Sequence, residues 1–162
     1  MQDFQFKDKY DAYDLVKIMQ LLRAPGGCPW DAEQTHQSIK KNLIEETYEV
    51  IEAINKDDKA LMCEELGDLL MQVVFHAQME QEAGNFDFGD VTDGVCKKLI
   101  ERHPHVFGEV EVSGVGDVLN NWDAIKRRSK GQKKGSEPML SIPRELPALM
   151  RATKIQQKAA AV

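Results

Sequence analysis

The segment from Leu66 to Ala77 constrains this chain most. Leu66, Leu69, Leu70, Met71, Val73, Val74, Phe75 and Ala77 leave almost no polar face at helical spacing, the pattern of a buried helix. Asp68 nevertheless sits inside the run, and Glu65 lies one turn earlier on the same side. An unpaired carboxylate in such a place is expensive, so it calls for a cation, a hydrogen-bond network or a raised pKa. A fold for this chain must therefore bury a helix and also bring something to its acidic residues.

The neighbouring segment supplies a partner. Acidic runs on helices are commonly solvated faces, and the helical wheel separates the two cases here. With Glu46 at zero and roughly 100° per residue, Ile39, Val50, Leu43 and Ile54 fall between about 20° and 80°. Glu46 thus lies within the apolar stripe. Glu49 lies at its edge, whereas Glu45 and Glu52 point further out. Asp57 and Asp58 suit the cap and first turn of the following helix, and so short a link folds two helices into an antiparallel hairpin. Two i, i+3 carboxylate pairs, Glu46/Glu49 and Glu65/Asp68, can then converge. Without histidine in the set, all-oxygen ligation favours a hard cation, Mg²⁺ or Mn²⁺. Four carboxylates exceed the charge of one such ion, which calls for a second ion or for cationic neighbours.

The rest of the chain reads as helix and punctuation. A first helix is expected from about Asp8 to Leu22. Ala24 to Asp31, with two prolines and two glycines, breaks it. Thr35 or Ser38 is a candidate cap for the carboxylate-bearing helix, which runs to about Asn55, and Gly84 closes the apolar one. Asp87 or Asp90 opens a further helix that Pro104 stops near Arg102 or His103. Gly114 and Gly116 suggest a loop before a short helix from Asp117 to Ser129. Lys130 to Pro143 reads as a flexible linker or a flap, and residues 144–162 as a C-terminal helix. The expectation is an all-α fold: one domain over residues 1–162, a bundle of five to six helices.

Composition narrows the function classes. At 162 residues, 42% apolar and 30% charged, the chain supports one sizeable core and is not a disordered polymer. A net charge of −6 disfavours nucleic acid as a partner. No stretch has the length of a membrane span, and the expected location is cytoplasmic. The three cysteines, Cys28, Cys63 and Cys96, form no C-x-x-C pair and read as small buried hydrophobes. His76 falls near Glu65 on the wheel, either as its partner or as a satisfied core histidine. His103 and His105 suit a cap or turn around Pro104. Trp30 and Pro29 are expected to pack their loop against the bundle or to border a neighbouring subunit's site, and Asp31 is a candidate cap.

Glu45-Glu46-x-x-Glu49 followed by Glu65-x-x-Asp68 resembles the signature of all-α nucleoside triphosphate pyrophosphohydrolases. Gly26-Gly27-Cys28-Pro29-Trp30-Asp31, Gln34-Thr35-His36, the run Glu101 to Gly108, and Asn121-Trp122 resemble the MazG branch. The resemblance implies Mg²⁺ on Glu46, Glu49, Glu65 and Asp68, with Mn²⁺ a possible substitute, and hydrolysis of NTP or dNTP to NMP and pyrophosphate. It implies substrate contacts at Asn42, Glu45, Lys98, Arg102 and Trp122. Lys98 and Arg102 share a helix face, where a solvated basic face is the alternative; Trp122 could stack on a base or fill core. Lys126, one turn further, joins them as a candidate. Glu45 is the candidate for orienting or deprotonating the attacking water. The resemblance also implies a homodimer or larger assembly that completes a four-helix bundle, and a chain that is either a single-domain form or a truncated two-domain one. The competing reading is a regulatory bundle that binds Mg-nucleotide without turnover.

Overall fold

The computed structural model describes residues 4–129 and 142–160; the side chains of residues 123 and 126–129 are outside that description. The described residues are helical, with eight helices and no strand, so the fold is all-α. Two compact units divide within one helix, the first running to Gly94 and the second starting at Val95.

In the first unit, α1 spans Ala12–Arg23, α2 Pro29–Glu33, α3 Lys40–Lys56 and α4 Lys59–Glu82. α1 begins later than the predicted Asp8 because Asp11 caps it. The Asp11 carboxylate accepts from the backbone N–H groups of Tyr13 and Asp14, while Asp14 accepts from the Asp11 N–H. The break after α1 is where predicted, and its geometry explains Gly27: a Cβ there would collide with the carbonyl oxygens of Leu21 and Leu22, which end the helix. Pro29 then starts the one-turn α2, as a proline can at a first helical position. Asp31 lies inside that turn and does not cap the next helix, and Trp30 is 58% exposed and not packed.

α3 and α4 form the predicted hairpin. Asp57 ends α3 in the left-handed region at φ 53°, and Asp58 caps α4 by accepting from the Ala60 and Leu61 N–H groups. The predicted cap of α3 is not formed: its N-cap is Ile39, without a side-chain bond. Thr35 and Ser38 instead bond each other's N–H groups in a turn just before it. α4 ends at Glu82, with Gly84 at φ +75° just beyond.

The core is Met19 of α1, Ile39, and Val74, Phe75 and Met79 of α4, flanked by Leu15, Val16, Met71 and Phe88. Only the C-terminal half of α4 is buried. Leu66 and Leu70 of its first half are exposed, as is Val73 next to the core, contrary to the expectation of burial all round; the core contacts fall on Met71, Val74, Phe75 and Met79. On α3, Ile44, Tyr48 and Ile51 are exposed at the same i, i+4, i+7 spacing. Arg23 ties the other end together. Its guanidinium holds Glu82 with two bonds of 2.9 and 2.8 Å, donates to the carbonyls of Asp31 and Gln34, and lies over the Phe75 ring.

α5 (Phe88–Arg102) runs across the division between the units. Asp87 and Asp90 accept reciprocally from each other's N–H groups at its start, so both predicted caps take part. The second unit continues with α6 (Pro104–Phe107), α7 (Val115–Ser129) and α8 (Ala148–Ala159). α7 starts two residues before the predicted Asp117 and so takes Gly116 into its first turn. The Asp117 carboxylate accepts from the Ser113 N–H and hydroxyl, which carries the helix start back through the glycines. Of the expected linker 130–143, residues 130–141 lie outside the described residues, and Ile142 is buried. Cys63 and Cys96 are exposed and Cys28 half-buried, so none is a core residue; all three are free thiols.

Candidate metal centre

Carboxylates one turn apart on α3 meet one from α4. Glu46, Glu49 and Glu65 each place an oxygen within 4.8 Å of the others. The i, i+3 spacing puts the two α3 groups on one face, and the tight Asp57–Asp58 turn folds α4 back against that face. Glu46 and Glu65 are half-buried and Glu49 is exposed. Asp68, half-buried one turn beyond Glu65, is outside the 4.8 Å set, although its charge acts on both Glu46 and Glu65.

Electrostatics record the crowding. Burial, then a hydrogen bond with Glu49 and the charges of Asp68, Glu49 and Glu65, hold the Glu46 carboxyl above the usual glutamate range. Glu65 is raised by burial and then by Glu49, Glu64, Asp68 and Glu52. The lysine nearest in sequence, Lys41, pairs with Glu45 at 2.9 Å, one turn before Glu49. The donor set is entirely carboxylate oxygen, so its chemistry fits a hard divalent cation, and such a charge would relieve the repulsion that raises Glu46 and Glu65.

The remaining predicted residues divide between the units. Asn42 is half-buried in the first turn of α3; Glu45 is exposed and ion-paired. Lys98 is exposed on α5, whereas Arg102 is half-buried with an Nε that lacks a hydrogen-bond partner. Trp122 on α7 is 40% exposed, its ring 6.0 Å from that of His103. Lys126 is on α7, and its side chain lies outside the described residues. His103 is the N-cap residue of α6, and its Nδ1–H donates to the Leu99 carbonyl at 2.6 Å. An open cleft of about 330 Å³ is lined by Glu101, Pro104, Val110, Asn121, Ala124 and Ile125, so the two motif segments on either side of residue 110 share one wall.

With this geometry in place, comparison with known proteins identifies the fold. Residues 34–107, which contain all four predicted metal ligands, match the MazG nucleotide pyrophosphohydrolase domain. The matched segment is a MazG domain. The nucleoside triphosphate pyrophosphohydrolase of Escherichia coli (strain K12) is 50% identical over 91% of this chain and 57% of that protein. The nucleoside triphosphate pyrophosphohydrolase/pyrophosphatase MazG of Thermotoga maritima is 49% identical over 92% of this chain and 56% of that protein. The chain thus spans little more than half the length of these relatives. The crystal structure of a mazG-related protein from Thermotoga maritima superposes with a TM-score of 0.59 at 26% identity, covering 71% of this chain and 98% of that one.

One cluster within the MazG match is not the one sequence pointed to. His76 is several turns along α4 from Glu65, which rules out that partnership and leaves the alternative, a histidine satisfied elsewhere. Its Nδ1 instead lies 2.7 Å from Nδ1 of His36, whose Nε2 is 2.7 Å from the Glu80 carboxylate. The i, i+4 spacing of His76 and Glu80 was the available signal. What it lacked was the position of His36, which only the folded turn before α3 supplies.

Proposed function

We propose that this chain hydrolyses nucleoside triphosphates, ribo- or deoxy-, to the monophosphate and pyrophosphate in a reaction that requires Mg²⁺, with Mn²⁺ as a substitute. The observation that carries the reading is the approach of Glu46, Glu49 and Glu65 on two helices; the names of the E. coli and T. maritima relatives support it. Glu46, Glu49, Glu65 and Asp68 would hold the ion. When bound, Mg²⁺ polarises phosphoryl oxygens and lowers the pKa of a coordinated water.

The chain's own residues have four further tasks. Water attacks the α-phosphorus, the bond to the β-phosphate oxygen breaks, and pyrophosphate leaves. Glu45, exposed beside the ligands, orients the water or accepts its proton, with Lys41 holding the carboxylate in place. Asn42 contacts the substrate from the same helix. Lys98 and Arg102 would neutralise the polyphosphate as a point charge and a fork of donors, and Trp122 and Lys126 would contact the nucleoside end. The work is nucleotide-pool housekeeping in the cytoplasm. The exposed stripes Ile44, Tyr48, Ile51 and Leu66, Leu70, Val73 support self-association, in which a second copy would complete a four-helix bundle.

The test is the product. With Mg²⁺ and a mixture of nucleoside triphosphates, the chain should release pyrophosphate, and EDTA should stop it. Asp68→Ala should abolish turnover while helix content by circular dichroism stays near the parent's. Release of orthophosphate, or activity that survives EDTA, would rule the chemistry out. Mg-dependent nucleotide binding without any product would establish the regulatory bundle instead.

A further inference from the structure

Ile39 packs the start of α3 into the core against α4 but caps it without a side-chain bond, so the polar tie at this helix start comes from another residue. The Glu80–His36–His76 series supplies a polar tie. The two imidazole planes differ by 2°, with ring centroids 5.0 Å apart. At an Nδ1···Nδ1 distance of 2.7 Å, this separation means that the rings meet edge to edge in one plane, aimed at each other, and are not stacked face to face. One nitrogen of such a pair must donate and the other accept.

The proton inventory follows from the partners. Asn85 bonds one Glu80 oxygen at 2.7 Å and His36 the other, and these bonds hold the Glu80 carboxyl below the usual range, so Glu80 stays ionised and accepts. His36 therefore carries its proton on Nε2, and its Nδ1 accepts from Nδ1–H of His76. The pair keeps its bond only while one facing nitrogen is bare; an N–H on both facing nitrogens puts two positive charges within one hydrogen-bond length, and the contact breaks.

We infer that Glu80, His36 and His76 form a proton-sensitive latch, closed near neutral pH, which fastens the segment entering α3 to α4 and opens in mild acid. The inference does not depend on the proposed hydrolysis. Burial, and then the His36 charge, hold His76 below 6.5. A histidine kept neutral by the fold stabilises it above the unfolded value, and that contribution is lost as pH falls below about 6.5. Lys40 opens α3 one turn beyond His36 and is exposed. Segment 34–39 carries only His36; the α1 cation at this end of α4, Arg23, is held by Glu82; Lys41 of α3 is held by Glu45; Asp31 and Glu33 belong to the α2 turn against α1.

The test uses the whole chain in EDTA. Side-chain ¹⁵N spectra at pH 7.5 should show His36 as the Nε2–H tautomer and His76 as the Nδ1–H tautomer. Backbone amides of residues 34–40 should shift in acid with the midpoint of His76. Between pH 7.5 and 5.5 the thermal midpoint of the parent should fall by roughly 2–4 °C more than that of His36→Gln, about the worth of one such group in a chain this size. Two Nε2–H histidines at pH 7.5 would overturn the latch without recourse to any variant. Equal acid losses in the parent and in His36→Gln would overturn it as well.

Discussion

The strongest quantitative consequence of the carboxylate cluster is that the metal-free chain should be stabilised by removing one of its own metal ligands. Glu46 is one of the two half-buried members, and Glu49 and Glu65 lie within 4.8 Å of it. Two like charges at that separation repel by about 1 kcal/mol in water and about 3–4 kcal/mol at an effective dielectric of 20. Half-burial beside exposed Glu49 favours the lower end after solvent screening, so Glu46→Gln should relieve about 1–2 kcal/mol. In a chain this long that raises the thermal midpoint by roughly 2–6 °C. The sign fixes the pH window. A carboxyl raised in the folded state contributes stability below its unfolded value of 4.5, and that contribution is lost as pH rises through the folded value. The assay is thermal unfolding of parent and Glu46→Gln in EDTA at pH 7.5 and pH 4.5. The variant should be the more stable at pH 7.5, and the gap should narrow at pH 4.5, where the parent carboxyl takes up its proton. Saturating Mg²⁺ should raise the parent's midpoint more than the variant's. A variant no more stable than the parent in EDTA, or a gap that ignores pH, would refute the crowding argument.

Arg23→Ala should cost about 2–3 kcal/mol in urea unfolding, because it leaves the Asp31 and Gln34 carbonyls without their donor beside a side chain only 7% exposed, whereas Glu82, 39% exposed, keeps water and Gln78; a loss below 1 kcal/mol would show that the network is not structural. Leu70→Glu, on the exposed stripe of α4, should shift the chain toward monomer in sedimentation equilibrium while helix content is unchanged. A parent that is already monomeric at high concentration would remove the case for self-association.

Much of the secondary structure was legible from short-range chemistry. Asp58, the Asp87/Asp90 pair, Pro104 and Gly84 act on neighbours within a turn, and each ends or starts a helix where the sequence places it. The one-turn α2 and α6 were missed because four or five residues hold too little periodicity to declare a helix, although each begins with a proline at its first position. The start of α3 was misread for a related reason. Thr35 and Ser38 have the chemistry of caps but spend it on each other, one residue too early.

The carboxylates at the centre of this protein divide along the same line. Periodicity alone placed Glu46 in an apolar stripe and Asp68 in an apolar run, because a 3.6-residue repeat fixes which side chains share a face. It could not say that Glu46, Glu49 and Glu65 come within 4.8 Å while Asp68 stands outside that set, since helix separation and offset are set by packing between helices. The same limit explains why half of an apolar helix is exposed, and why His76 meets His36 and not Glu65. Hydrophobic pattern states which residues need cover; only the tertiary structure decides which neighbours arrive to provide it.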